Sequence, residues 1–249
     1  MRHASAVIDA SAELASDVDV GALSVVGARV RIGARSKIAA HAVIEGPCTL
    51  ADDNEVFSFA VIGGAPQDKR AKNVATRLVV GSNNVFREHV TVHRGTRDTE
   101  TRIGSHNLFM VGAHVAHDVV VGSHCVIANG VQLAGHVRVD DWVTFGGLAG
   151  VAQFVTIGEG AFVAAGAMVE RDVPPFVIAQ GDRARVRAVN TVGLERRDVP
   201  RSSVKEVERV FRAIYMQRTP RSLVLRTLTT DDPWAQKLLV AARALSSAS

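Results

Sequence analysis

The sequence predicts a mainly β protein: a parallel β-helix built from a hexapeptide repeat, followed by a small α-helical C-terminal domain. Three observations carry this. An apolar residue recurs every six positions, at Ile8, Leu14, Val20, Val26, Ile32, Ile38, Ile44, Leu50, Val56 and Ile62 without a miss. Four residues after each anchor comes a second, mostly small position, as at Ala12, Ser24, Ser36, Ala42 and Cys48. Near the C-terminus the six-residue period gives way to helical spacing. A period of six fits neither an α-helix nor an alternating hairpin sheet, and it is the signature of a stacked solenoid.

The phase resumes at Val80, Phe86 and Val92, and again from Ile103 through Val115, Ile127, Leu133 and Val151 to Val169. Three hexads make one triangular coil, so residue n lies about 4.8 Å from residue n+18. Two segments break the phase, near 67–77 and 94–102, and read as loops thrown out from the solenoid. Long loops on a rigid repeat are common carriers of function. Pro174 and Pro175 are expected to end strand pairing. The solenoid is assigned to residues 1–185 and the helical domain to 186–249.

Within the helical part, Ser203 and Glu206 have capping-box spacing. Val204, Val207, Val210, Phe211 and Ile214 follow as an apolar stripe. Asp232-Pro233 reads as an N-cap and first-turn pair, ahead of Trp234, Leu238, Leu239, Ala242 and Leu245.

Composition narrows the function. The chain has 249 residues, enough for a large core, and no run long enough to span a membrane. The start, MRHASAVIDA, lacks the apolar core of a signal peptide, so a cytoplasmic protein is expected. Cys48 and Cys125 both occupy small inward positions and read as buried structural thiols. Residues 171–226 carry thirteen Lys or Arg against six Asp or Glu, a basic end suited to an acidic partner. No recognition motif or aromatic interleaving points to nucleic acid.

The chemistry concentrates in the segment AHVAHD. Val115 is the inward anchor, so His117 and Asp118, two and three places later, are expected to face outward. Stacking places Gly135 and Gln153 over His117, and His136 over Asp118. His93 follows the corresponding anchor one coil below, and His114 adjoins the patch. An imidazole works as a general base near neutral pH, a carboxylate orients it, and a glycine lets a backbone N–H approach an oxyanion. No activated Ser or Cys accompanies the histidine, which favours direct attack of the acceptor on an acyl thioester. Zinc is the competing chemistry for three histidines. The cluster reads His114-x-x-His117, however, one of two pairs shorter than the H-x-x-x-x-H of solenoid carbonic anhydrases, and no metal is expected. His106, His124 and Trp142 form another column, read as a packing ladder.

Beyond these spacings, the pieces IGGAPQD, TRLVVGSNNVFREHVTVHRGT, AHVAHD, LAGHVRVDD, QFVTIG, DVPPFVIAQG and GLERRD occur in order. In them the chain resembles the UDP-N-acetylglucosamine acyltransferases of lipid A biosynthesis, from about Val7 to Arg197. The resemblance implies a left-handed β-helix and a homotrimer with active sites between subunits. It implies transfer of a 3-hydroxyacyl chain from acyl carrier protein to the sugar 3-hydroxyl, with no resident cofactor because the donor arrives on a phosphopantetheine arm. It makes His117 the general base, Asp118 its orienting partner and Gly135 the oxyanion donor. Gln67 and Asp68 would contact the sugar nucleotide, and His93, His114, His136 and Gln153 would complete the pocket. Asn190, Arg196 and Arg197 would lie toward the nucleotide or phosphopantetheine end, and Ala164 and Ala165 along an acyl groove. The chain departs from the family pattern at Ala152, where a histidine is usual, and over 69–74, where L-K-Y-x-G-E is replaced. An N-acyltransferase acting on an amino-sugar nucleotide is the nearest rival, and a non-catalytic scaffold the third class.

Overall fold

The computed structural model describes residues 1–69, 71, 76–96, 99–217 and 219–247. Arg70 and 72–74 of the altered first loop, and residues 97–98 of the second, lie outside the described residues.

Among the described residues, short strands form three sheets of nine, eight and ten strands. Successive strands pass from sheet to sheet, and each pairs in parallel with the strand one coil on. Val25 pairs with Val43, and Val43 with Val61, at the eighteen-residue offset that the hexads require. The result is a left-handed parallel β-helix. The anchors fill the prism: Ile44, Ile62, Val92, Val115 and Leu133 are fully buried. Outward neighbours alternate with them, as a pleated strand demands.

Each coil turns through corners at which a residue adopts a left-handed conformation. His106, His124 and Trp142 have φ of 60°, 60° and 63°. Like corners stack, so their side chains stack too. The rings of His106 and His124 lie 4.8 Å apart, and those of His124 and Trp142 4.2 Å apart.

The two insertions appear as changes of register. Val61 pairs with Thr91, and Thr91 with His114, offsets of thirty and twenty-three residues. The wall therefore stays continuous across both insertions.

The prolines do not end the wall. Val173 bridges to Ile157, and strand Val177–Gln180 pairs in parallel with Phe162–Val163 beyond them. Pro174 and Pro175 sit between strands, where no ladder N–H is needed. Strand Arg185–Val189 then returns antiparallel to Val177–Gln180. The expected boundary at 185/186 thus falls inside a hairpin, because R-V-R-A-V alternates as a strand does.

The helices are α1 (Thr191–Glu195), α2 (Arg201–Tyr215), α3 (Arg221–Thr227) and α4 (Pro233–Ser247). Val204, Val207, Val210, Phe211 and Ile214 bury one side of α2. The capping box does not form. Helix α2 begins behind Pro200 without a side-chain cap, two residues before Ser203. The Ser203 hydroxyl instead donates to Asp232 at 2.6 Å, and Glu206 holds Arg209 and Thr230. Asp232 does cap α4, accepting from the N–H groups of Trp234 and Ala235. No helix among the described residues is long and apolar enough to cross a membrane. Both cysteines are free and buried, and burial pushes the Cys125 thiol up to about 12 and Cys48 higher. Neither offers a thiolate near neutral pH.

Candidate active site

His117 and Asp118 occupy the corner that follows strand His114–Val115. Asp118 takes the left-handed corner conformation, with φ of 62°. His117 Nδ1 and Asp118 Oδ2 are 2.8 Å apart. The pair lies outside the prism wall, as the spacing predicts, but does not face solvent: the side chains are 9% and 3% exposed. Thr96 and Thr99 of the second insertion close over them. Thr96 donates its N–H to Asp118 Oδ1 at 2.8 Å and its hydroxyl to Oδ2 at 2.6 Å. The Thr99 hydroxyl also reaches Oδ1. Burial alone would raise the Asp118 pKa, but the hydrogen bonds from Thr96, Thr99 and His117 outweigh it and hold the group below the ordinary carboxylate value. An ionised Asp118 keeps the proton of His117 on Nδ1 and leaves Nε2 as an acceptor.

One coil further on, Gly135 lies directly against the imidazole. A Cβ at residue 135 would stand 2.6 Å from His117 Cε1 and 2.9 Å from Nε2, so no side chain fits. Among the described residues the Gly135 N–H meets no acceptor. A free amide donor therefore borders the His117 ring. His136 follows, with Nε2 3.5 Å from Asp118 Oδ2 and its ring perpendicular to that of His117. Its other face stacks on Phe154 at 4.6 Å.

Two more histidines stand beside the pair, His114 on the strand that leads into it and His93 one coil below. The rings of His93 and His114 meet edge-on at 4.8 Å, and His114 Nδ1 lies 2.7 Å from Thr91 Oγ1. Burial, then the neighbouring His114, His117 and Arg94, lowers His93 to about 4, so it is neutral at physiological pH. Burial and His117 lower His114 as well. His93 Nδ1 is buried with no hydrogen-bond partner among the described residues.

His114, His117, Gly135 and Gln153 border a cleft of about 620 Å³, with Gln67 and Met168 also in its walls, whereas His93, Asp118 and His136 stand behind this lining. Its floor is poor in side chains, with Ala116, Ala134, Gly150 and Ala152. A second cleft of about 560 Å³ runs between α4 and the solenoid, away from the histidines. Its Glu159 is already paired with Arg197 and Lys237. His117, Asp118 and His136 also present ligand atoms within 4.8 Å of one another. Both Asp118 oxygens and His117 Nδ1 are already engaged in hydrogen bonds within the protein.

Comparison with known proteins agrees with this geometry. Residues 100–135 match the bacterial transferase hexapeptide model, and residues 172–247 match that of UDP N-acetylglucosamine O-acyltransferase domain 2. The acyl-[acyl-carrier-protein]–UDP-N-acetylglucosamine O-acyltransferase of Herminiimonas arsenicoxydans is 43% identical, over 92% of this chain and 88% of that protein. The chain belongs to the UDP-N-acetylglucosamine O-acyltransferase family. A Stenotrophomonas maltophilia member is 44% identical over 91% of this chain and 88% of its own length. The crystal structure of the Moraxella catarrhalis O-acyltransferase superposes with a TM-score of 0.92 at 33% identity, covering 98% of this chain and 96% of that one.

Not every residue that the O-acyltransferase pattern points to joins the His117 cleft of the same chain. Gln67 lines it; Asp68 is the next residue, and its carbonyl accepts from Ala71. Asn190 is the N-cap of α1: Oδ1 accepts from Gly193 N–H, and Nδ2 donates to the Gly160 carbonyl. Arg197 pairs with Glu159 and lies over the rings of Trp142 and Trp234, at 5.2 and 4.8 Å. Arg196 is exposed at the end of α1. Ala164 and Ala165 sit between strands Phe162–Val163 and Met168–Val169, at a different corner of the prism from His117. Sequence spacing missed Thr96, Thr99 and Thr101. The only signal for them was three hydroxyls in one otherwise charged loop, TRDTETR.

Proposed function

We propose that the chain transfers a 3-hydroxyacyl group from acyl carrier protein to the 3-hydroxyl of UDP-N-acetylglucosamine, the entry step of lipid A biosynthesis. The observation that carries the reading is the His117–Asp118 dyad pressed against the side-chain-free Gly135 in an open cleft. The sugar hydroxyl attacks the thioester carbonyl as His117 Nε2 takes its proton. The carbonyl oxygen becomes an oxyanion, and the Gly135 N–H donates to it. Collapse breaks the carbon–sulfur bond, and the thiolate of the carrier's arm leaves with the proton from His117. No acyl-enzyme forms, and no cofactor takes part. Asp118 holds the imidazole in the required tautomer throughout.

The working form in this reading is a cytoplasmic homotrimer. Leu148 and Phe154, 71% and 69% exposed, stand at the corners bracketing strand Gly150–Val151 on the cleft wall, and a neighbouring copy would cover them. Such a neighbour brings its own Ala164, Ala165 and basic C-terminal end toward the donor. Gln67 and Asp68 read the nucleotide sugar, and His93, His114, His136 and Gln153 complete the pocket. The test is incubation with 3-hydroxyacyl carrier protein and UDP-N-acetylglucosamine, followed by mass analysis of the sugar nucleotide. A 3-O-acylated product is expected. Acylation only of an amino-substituted analogue would replace this acceptor with the N-acyl one.

A further inference from the structure

We propose that Thr96 is a positioning residue for the dyad: by gripping both carboxylate oxygens it decides which face Asp118 turns to His117. The inference rests on His117 acting as the base.

A carboxylate turns about a soft, two-fold torsion, so burial by itself does not choose which oxygen meets a neighbour. Here two imidazoles compete for one oxygen. His117 Nδ1 lies 2.8 Å and His136 Nε2 3.5 Å from Asp118 Oδ2. Thr96 breaks the tie. Its N–H holds Oδ1 at 2.8 Å and its hydroxyl holds Oδ2 at 2.6 Å, so one residue spans the whole carboxylate. Thr96 is itself buried, 7% exposed, which keeps water from taking over either bond. The backbone is tied from the other side, because Asp118 N–H donates to Thr101 Oγ1 at 2.8 Å. Loop and wall together leave the carboxylate one orientation.

The consequence for transfer concerns the proton on the imidazole. With Oδ2 fixed opposite Nδ1, the ring carries its hydrogen on Nδ1 and offers Nε2 to the acceptor hydroxyl. With the carboxylate free to swing toward His136, part of the population carries the hydrogen on Nε2. That population cannot act as the base. Substrate contacts are untouched, so kcat falls while KM holds.

The test uses the full chain with ¹⁵N-labelled histidine, and His117→Ala assigns the relevant signals among the nine histidines. Wild type is expected to show His117 in the Nδ1–H tautomer. Thr96→Val and the smaller Thr96→Ala are expected to show a mixture of tautomers and a kcat lower by roughly 10- to 100-fold, with KM for both substrates unchanged. Thr96→Ser restores both. A pure Nδ1–H tautomer and wild-type kcat in the folded valine or alanine variant would overturn the proposal. Wild type that transfers no acyl group would sink the assigned reaction instead, and the tautomer measurement would still decide the role of Thr96.

Discussion

Gly135 and His117 are in van der Waals contact across one coil: a Cβ on residue 135 would stand 2.6 Å from the imidazole Cε1. The glycine thus gives the ring its place as well as supplying an amide donor. Gly135→Ala is expected to push the ring off its position without disturbing the buried anchor Leu133. A displacement of about 1 Å lowers turnover by roughly 10²-fold. Steady-state kinetics and a thermal melt check this, with kcat falling and the melting temperature nearly unchanged.

His117→Ala leaves the wall intact, since the coil is held by Val115, Val119 and the backbone ladder. The loss is expected to be chemical, with a fall of about 10²- to 10⁴-fold in kcat. Asp118→Asn costs less, because the ring and the Gly135 amide remain. Near-full transfer by the alanine variant would remove His117 from the base role.

Arg197 joins the helices to the solenoid. Gly160 lacks a side chain in the corner column above Trp142, and a Cβ there would meet Arg197 Nη1 at 2.9 Å. The guanidinium fills that gap, pairs with Glu159 and is 12% exposed. Removing one partner of a buried pair costs about 3 to 5 kcal/mol, and the remaining Lys237–Glu159 contact places Arg197→Ala at the lower end. Arg197→Lys recovers little, because an ammonium does not stack as a planar group. Urea unfolding of each variant reads the difference directly.

The solenoid was legible because a six-residue period specifies the inward face of every rung, and eighteen residues later the same face returns. His117, Gly135 and Gln153 came together from that arithmetic alone. Two kinds of relationship need more than that arithmetic. The His93–His114 contact crosses a coil whose offset is twenty-three rather than eighteen, so it required knowing how much chain the insertion takes out of the wall. The closure of Thr96 over Asp118, and the bond from Ser203 to Asp232, depend on how a loop or helix folds back in three dimensions. No periodicity encodes such contacts. Ser203 shows the risk: its spacing to Glu206 is that of a cap, while tertiary packing gives its hydroxyl another partner.

The acyl tail offers a separate test of the family reading. Ala164 and Ala165 lie at the corner after strand Phe162–Val163, half-buried and exposed respectively in the single chain. If a neighbouring subunit closes a groove over them, their methyl groups limit its depth. Ala165→Gly is then expected to move preference toward longer chains in a graded series of acyl carrier proteins, with kcat on the shortest chain little changed. An unchanged chain-length profile would place the tail elsewhere.

Acid sensitivity follows from His93. Its folded pKa is lowered to about 4 by burial first, whereas in the unfolded chain it returns to about 6.5. Between these values the unfolded chain binds the extra proton, so the stability this group contributes is complete above about pH 6.5 and is lost as pH falls toward 4. Asp118, whose folded pKa is lowered, contributes stability above the ordinary carboxylate value that is lost only at lower pH still. The two effects are therefore separable. His93→Gln keeps a polar ring-sized group beside His114 but has no proton to gain. The denaturation midpoint is expected to drop between pH 7 and pH 5 in the wild type, and to drop less in the glutamine variant. Equal drops in the two proteins would mean that the acid response arises from another group.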